Sequence, residues 1–181
     1  MSLNNFDEAL VFWRCLIDLD PINEEFYARM GTTYNLLNCY NEAEKYFLKS
    51  ISISPSEYAY KHLGICYAKL NNYEKAYDSL KNIAYNCNDF KMLADFAFCR
   101  NELKKFDESI LILKKCLKIN RNETISSGML EIAYNEKGVV LAKKNKLQQS
   151  VIMFKSAIAI NSNFDLAKSN LSKIKKFLLH T

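Results

Sequence analysis

Hydrophobic positions in this chain fall three and four residues apart in block after block. That spacing lays a single apolar stripe along an α-helix. Five blocks align with one another: FDEALVFWRCLIDLDP from Phe6, YNEAEKYFLKSISISP from Tyr40, YEKAYDSLKNIAYNCN from Tyr73, FDESILILKKCLKINR from Phe106 and LQQSVIMFKSAIAINS from Leu147. Each opens on an aromatic residue or Leu, and a small residue follows three positions later: Ala9, Ala43, Ala76, Ser109 and Ser150. Successive small residues lie 34, 33, 33 and 41 positions apart. These are the B helices. Between them run the A helices, FYARMGTTYNLLN from Phe26, YKHLGICYAKLN from Tyr60, LADFAFCRNELK from Leu93 and YNEKGVVLAKKN from Tyr134. Tyr27, Tyr60, Leu93 and Tyr134 each stand four places before Gly31, Gly64, Ala97 and Gly138 in turn.

A period near 34 residues built from two helical stripes is the mark of stacked helix hairpins. A glycine inside a helix costs about 1 kcal/mol relative to Ala. Its recurrence at one register position therefore calls for a steric reason. The expectation is that the small residue lets the backbone of helix B approach helix A, with aromatic residues filling the groove beside the contact. Pro21 and Pro55, in equivalent places, end helices by interrupting the backbone ladder. Asp7, Glu8, Glu42, Glu44, Glu74, Asp107 and Glu108 fall in first turns, where acids complement the helix dipole. Asn5, Asn72 and Asn145 are candidate N-caps.

The pattern resembles the tetratricopeptide repeat (TPR). The residues that carry the resemblance are Tyr27, Tyr60 and Tyr134; Gly31, Gly64 and Gly138; Tyr34 and Tyr67; Ala9, Ala43 and Ala76; and Pro21 and Pro55. Asn88, Arg121 and Ser162 stand where the family has proline, and Lys137 replaces an apolar residue before Gly138. The resemblance implies an all-α fold, a TPR-type α-solenoid: a right-handed superhelix of antiparallel helix hairpins with a C-terminal capping helix. One domain over residues 1–181 is expected, with a B helix at 5–20, hairpins at about 24–54, 57–87, 90–120 and 125–161, and a capping helix at 163–179.

Two departures from the frame carry their own expectations. The first B helix has no A helix before it and is apolar almost all round, at Leu10, Val11, Phe12, Trp13, Cys15, Leu16 and Ile17. End units of repeat proteins need polar caps. The chain is therefore expected to be a piece of a longer protein, or to self-associate or meet a partner through this uncapped N-terminal helix. The step from Ser109 to Ser150 exceeds a 34-residue period by seven, inserted between Arg121 and Leu130. Seven residues are about two helical turns. A short loop followed by a longer A helix is favoured over a looser loop at Thr124, Ser126, Ser127 and Gly128. At the end, Phe164, Ala167, Leu171, Ile174 and Leu178 form one stripe, with Lys168, Ser172, Lys175 and Lys176 largely off it. That is the pattern of the capping helix.

Composition narrows the chemistry. Six cysteines without paired spacing fit a reducing compartment, and a cytoplasmic location is expected. Cys66, Cys99 and Cys116 read as small core residues, and no Cys-x-x-Cys pair exists for a metal. No apolar run approaches the ~20 residues of a membrane helix. The net charge of +5 rests mainly on lysine, with arginine only at Arg14, Arg29, Arg100 and Arg121. Nucleic-acid readers rely on arginine forks, so nucleic acid is disfavoured as a partner, as the lack of a long apolar run disfavours a membrane. Of the two histidines, His180 lies next to the end and His62 has no readable catalytic partners. The glycines are isolated within helices and build no phosphate loop. No enzymatic activity, no metal and no cofactor are expected.

In the family this chain resembles, A helices line a concave groove that takes extended peptides or partner helices. A protein or peptide partner is expected here. The inward side chains are then Arg29, Thr32, Asn35 and Leu36; Lys61, His62, Ile65 and Lys69; Asp95, Phe98, Asn101 and Glu102; and Asn135, Glu136, Val139 and Lys143. Arg29, Lys61 and Lys69 precede Asp95, Glu102 and Glu136, a charge order that orients a peptide of opposite polarity. Some TPR domains clamp the terminal carboxylate of chaperones with Lys, Arg and Asn. The comparable places hold Ala28, Thr32, His62, Lys91 and Asp95, or one repeat on Lys61, Ile65, Asp95, Ile132 and Glu136, and neither set fits. The leading expectation is a non-catalytic interaction scaffold. The alternatives are a small TPR chaperone of the secretion type and the TPR portion of a larger enzyme or signalling protein.

Overall fold

The structure, a computed structural model, describes residues 4–84 and 89–179, without the side chains of residues 4, 82 and 84. Every regular element among the described residues is an α-helix. The chain divides into two compact units, Met1–Cys87 and Asn88–Thr181.

The first unit holds α1 (Asn4–Leu19), α2 (Glu24–Leu36), α3 (Tyr40–Ile53), α4 (Glu57–Lys69) and α5 (Tyr73–Ala84). Each helix packs on the next, and the A helices α2 and α4 also touch. The second unit holds α6 (Phe90–Glu102), α7 (Phe106–Ile119), α8 (Thr124–Lys143), α9 (Leu147–Ile160) and α10 (Asp165–Leu179). Here too each helix packs on the next, α6 touches α8, and α10 lies on both α9 and α8.

The hairpin turns are one motif used four times. Asn38, Asn71, Lys104 and Asn145 adopt left-handed backbone with φ of 57–59°. The residue after each donates its N–H five places back: Cys39 to Tyr34, Asn72 to Tyr67, Lys105 to Arg100 and Lys146 to Leu141, at 2.8–2.9 Å. This is the Schellman closure, which satisfies carbonyls that the ending helix leaves open. Asn145 is thus a helix terminator rather than the N-cap its type foretells. Asn5 lies inside α1. Asn72 does accept from the Lys75 N–H at 3.3 Å. The A helices are capped by Asn23, Ser56, Asp89 and Glu123, whose side chains take up N–H groups of their first turns.

The glycines act differently from the expectation of backbone touching backbone. A β carbon on Gly31 would stand 2.9 Å from the Phe47 ring, one on Gly64 2.5 Å from Leu80, and one on Gly138 2.6 Å from Phe154. Each missing side chain is replaced by a large one from helix B, 16 residues on. Phe47, Leu80 and Phe154 are almost wholly buried as a result. Burying side chains of that size contributes about 1.5–3 kcal/mol each. Ala43, Ala76, Ser109 and Ser150 are fully buried, and the Ser109 hydroxyl donates to the Ala97 carbonyl at 3.0 Å.

The extra seven residues enter the helix. α8 is 20 residues long where α2, α4 and α6 have 13. Glu123 caps its start, accepting from the Ile125 and Ser126 N–H groups, and Ser126 and Leu130 of the added turns are buried. In α1 the residues equivalent to a buried B face, Ala9 and Trp13, stay half-buried, while Val11 and Phe12 are more than half exposed.

Candidate functional site

In the first unit, α2 and α4 bring Arg29, Thr32 and Asn35 beside Tyr58 and His62, with Lys61, Ile65 and Lys69 also on α4. Capping by Asn23 and Ser56 sets where these helices begin, and the Gly31 and Gly64 contacts set which side faces helix B. The residues that remain meet around a side chain the sequence pattern did not single out. The Tyr58 hydroxyl lies 2.9 Å from the Thr32 hydroxyl, and the Tyr58 ring lies 4.3 Å from the His62 ring. The Arg29 guanidinium sits over the same ring at 4.9 Å while its own carboxylate partner is Glu25 at 3.0 Å. The Asn35 amide donates to the His62 carbonyl at 3.4 Å, joining α2 to α4. A shallow hollow of about 230 Å³ opens between Glu24, Glu25, Ala28, Arg29, Ser56 and Tyr58. Tyr58 escapes a repeat-based reading because its equivalents, Glu25, Lys91 and Ile132, are not aromatic.

His62 is half-buried between Tyr58 and Phe47. Burial first, then the positive charges of Lys61 and Arg29, hold its pKa below the ordinary histidine value. It is therefore a neutral ring within reach of two cations. Lys61 and Ile65 are half-buried, and Lys69 is exposed.

In the second unit, α6 presents Asp95, Phe98, Asn101 and Glu102, and α8 presents Glu136 and Val139. Asp95, Phe98 and Glu102 are exposed; Asn101, Glu136 and Val139 are half-buried. The Asn101 amide donates to the Met129 carbonyl at 3.5 Å, repeating between α6 and α8 the bridge that Asn35 makes between α2 and α4. Asn135 does not share this accessible face. It is only 1% exposed, donates to Glu136 and accepts from the Asn170 amide of α10 at 3.0 Å. The helix that follows α9 covers it, so it is a buried structural amide.

The thiols offer no reactive group on these faces. Burial pushes Cys66 up to about 11 and Cys99 up to about 12, and it raises Cys116 as well. Cys66 and Cys116 donate to the carbonyls of Tyr40 and Phe90. Among the described residues no three His, Cys, Asp or Glu side chains gather as a metal site, and no helix is long and apolar enough to cross a membrane.

Hairpins of this period, with a small A residue under a large B residue, have a counterpart among known families. The tetratricopeptide repeat family matches residues 24–57 and 91–123. Those two stretches are tetratricopeptide repeats. Solved structures share the chain's fold over nearly its full length. YrrB, described as a TPR protein with an unusual peptide-binding site, is 23% identical with a TM-score of 0.70, over 93% of this chain and 84% of its own. MamA is 22% identical with a TM-score of 0.71, over 88% of this chain and 84% of its own. A tetratricopeptide repeat protein from Parabacteroides merdae is 15% identical with a TM-score of 0.61, over 95% of this chain and 78% of its own. No curated protein matches the sequence. The fold class is thus all-α and of the TPR solenoid type.

Proposed function

We propose that this TPR chain is a non-catalytic interaction module whose A-helix faces bind extended peptide or helical segments of other proteins. The observation that carries the reading is the make-up of the α2–α4 face. Arg29 and Lys61 flank a Tyr58–His62 ring pair, and the exposed Lys69 lies further along α4, so the face offers cations next to aromatic surface. An acidic segment with an apolar or aromatic anchor complements it, through charge steering and ring contact. The α6–α8 face offers the reverse, Asp95, Glu102 and Glu136 around the exposed Phe98 ring, and complements a basic segment. YrrB supports the reading by analogy, as a TPR fold described with a peptide-binding site.

The test is binding of labelled acidic and basic peptides of equal length to the whole chain. Lys61→Glu with Lys69→Glu weakens acidic peptides by about tenfold or more, since each tenfold corresponds to about 1.4 kcal/mol. Far-ultraviolet circular dichroism of the variant confirms that it is folded. Unchanged affinity in a folded variant rejects the α2–α4 face.

A further inference from the structure

Where α6 turns into α7 and α8 turns into α9, the second unit encloses a half-open hollow of about 290 Å³. Lys104 and Lys105 enter it from the first turn, and Lys144 and Lys146 from the second. Phe106, Val140 and Leu141 supply an apolar lining that is buried or half-buried. Two acids also line the hollow, and both are engaged: Asp107 with Lys137, and Glu108 with Arg100. Lys104, Lys105, Lys144 and Lys146 are exposed and form no ion pair among the described residues. Four uncompensated cations around one hollow repel one another, and a bound anion reverses the sign of that energy.

The protein's own repeats show that the lysines are not demanded by the fold. Ahead of α5 the place of Lys105 and Lys146 is held by Asn72, whose side chain caps the helix. Lys105 and Lys146 make no side-chain cap bond, and a cation there opposes the positive end of the helix dipole. Both hairpins of this unit thus place positive charge where folding alone disfavours it, in the lining of the same hollow.

We propose that this hollow binds a phosphorylated side chain of a polypeptide partner. A phosphoryl group carries close to two negative charges and three acceptor oxygens, which suits several ammonium donors better than a single carboxylate does. Lysine ammoniums are point charges that grip phosphate without imposing a planar fork. The apolar lining receives the stem of the modified side chain. The cations are gathered at one hollow, whereas a nucleic-acid backbone calls for charge strung along a track. The site is independent of the A-helix faces above, because none of their residues lines it.

The experiment uses the whole chain and four probes: a labelled phosphoserine peptide with apolar flanking residues, its unphosphorylated twin, inorganic phosphate as competitor, and a single-stranded oligonucleotide. The phosphopeptide is expected to bind at least about tenfold tighter than its twin, with the affinity falling as salt screens the lysines. Inorganic phosphate is expected to compete. Lys105→Asn with Lys146→Asn should weaken the phosphopeptide by about tenfold while raising the urea midpoint, because Asn caps a helix and Lys does not. Lys104→Gln with Lys144→Gln should weaken it similarly without touching either cap position. Equal affinity for the unphosphorylated twin overturns the proposal. So does wild-type phosphopeptide affinity in both folded variants, or an oligonucleotide that binds more tightly through these same lysines.

Discussion

The Phe47 ring occupies the volume that a side chain at Gly31 would need, 2.9 Å from where its β carbon would lie. Leu80 stands in the same relation to Gly64 and Phe154 to Gly138. A helix A without a side chain at one point and a helix B with a large one 16 residues later form a single lock, used in both units.

That lock predicts opposite signs for one substitution. Gly64→Ala sets a methyl group 2.5 Å from Leu80, which is 1% exposed and closely confined. Overpacking of this kind costs about 1–3 kcal/mol, more than the gain of up to about 1 kcal/mol from helix propensity. Gly128→Ala meets nothing within 4 Å at the fifth residue of α8 and gains about 0.5–1 kcal/mol. Urea unfolding midpoints should move down for the first and up for the second. Equal shifts would show that the glycines serve the backbone alone.

His62 predicts a pH dependence. Its folded-state pKa lies below the ordinary histidine value because of burial and then Lys61 and Arg29. The unfolded chain therefore takes up a proton first as pH falls, and stability drops from about pH 6.5 downward until the folded pKa is reached. The fall in urea midpoint between pH 8 and pH 5.5 should be smaller in His62→Gln than in the wild type. Parallel curves for the two proteins refute a neutral, confined His62.

The cysteines predict a labelling order. Cys15 and Cys39 are exposed, while Cys66, Cys99 and Cys116 are fully buried with raised pKa values. Iodoacetamide on the native chain at pH 8 should modify the first two about a hundredfold faster than the buried three, since the thiolate is the reacting species. Peptide mass mapping reads the order directly. Rapid modification of Cys66 or Cys99 in folded protein would contradict the packing of α4 or α6.

Much of the fold was legible because it is local and repeated. Helical stripes, small residues at a 33–34-residue spacing and the seven-residue excess before α9 all sit in the chain as counts. Turn chemistry was legible only in part: Asn145 looks like an N-cap by type, yet the Schellman closure places it in left-handed backbone at the end of α8. The candidate faces were legible as helix sides. Periodicity says which way a residue points, however, and not what comes to lie upon it. Asn135 shares the stripe of Glu136 and Val139 by register, and Asn170 of α10 buries it.

The repeat period, the identity of the A and B helices and the small residues at their contacts were determined by the sequence alone, because each depends on neighbours within a turn or one hairpin. Contacts between residues far apart in the chain were decided by tertiary structure. It placed the Phe47 ring in the gap at Gly31, gathered Arg29 and His62 around Tyr58, and brought Lys104, Lys105, Lys144 and Lys146 to one hollow. The physical reason is that the repeat fixes which positions recur, whereas which side chains touch, and what fills the space between them, depends on how neighbouring helices pack in three dimensions.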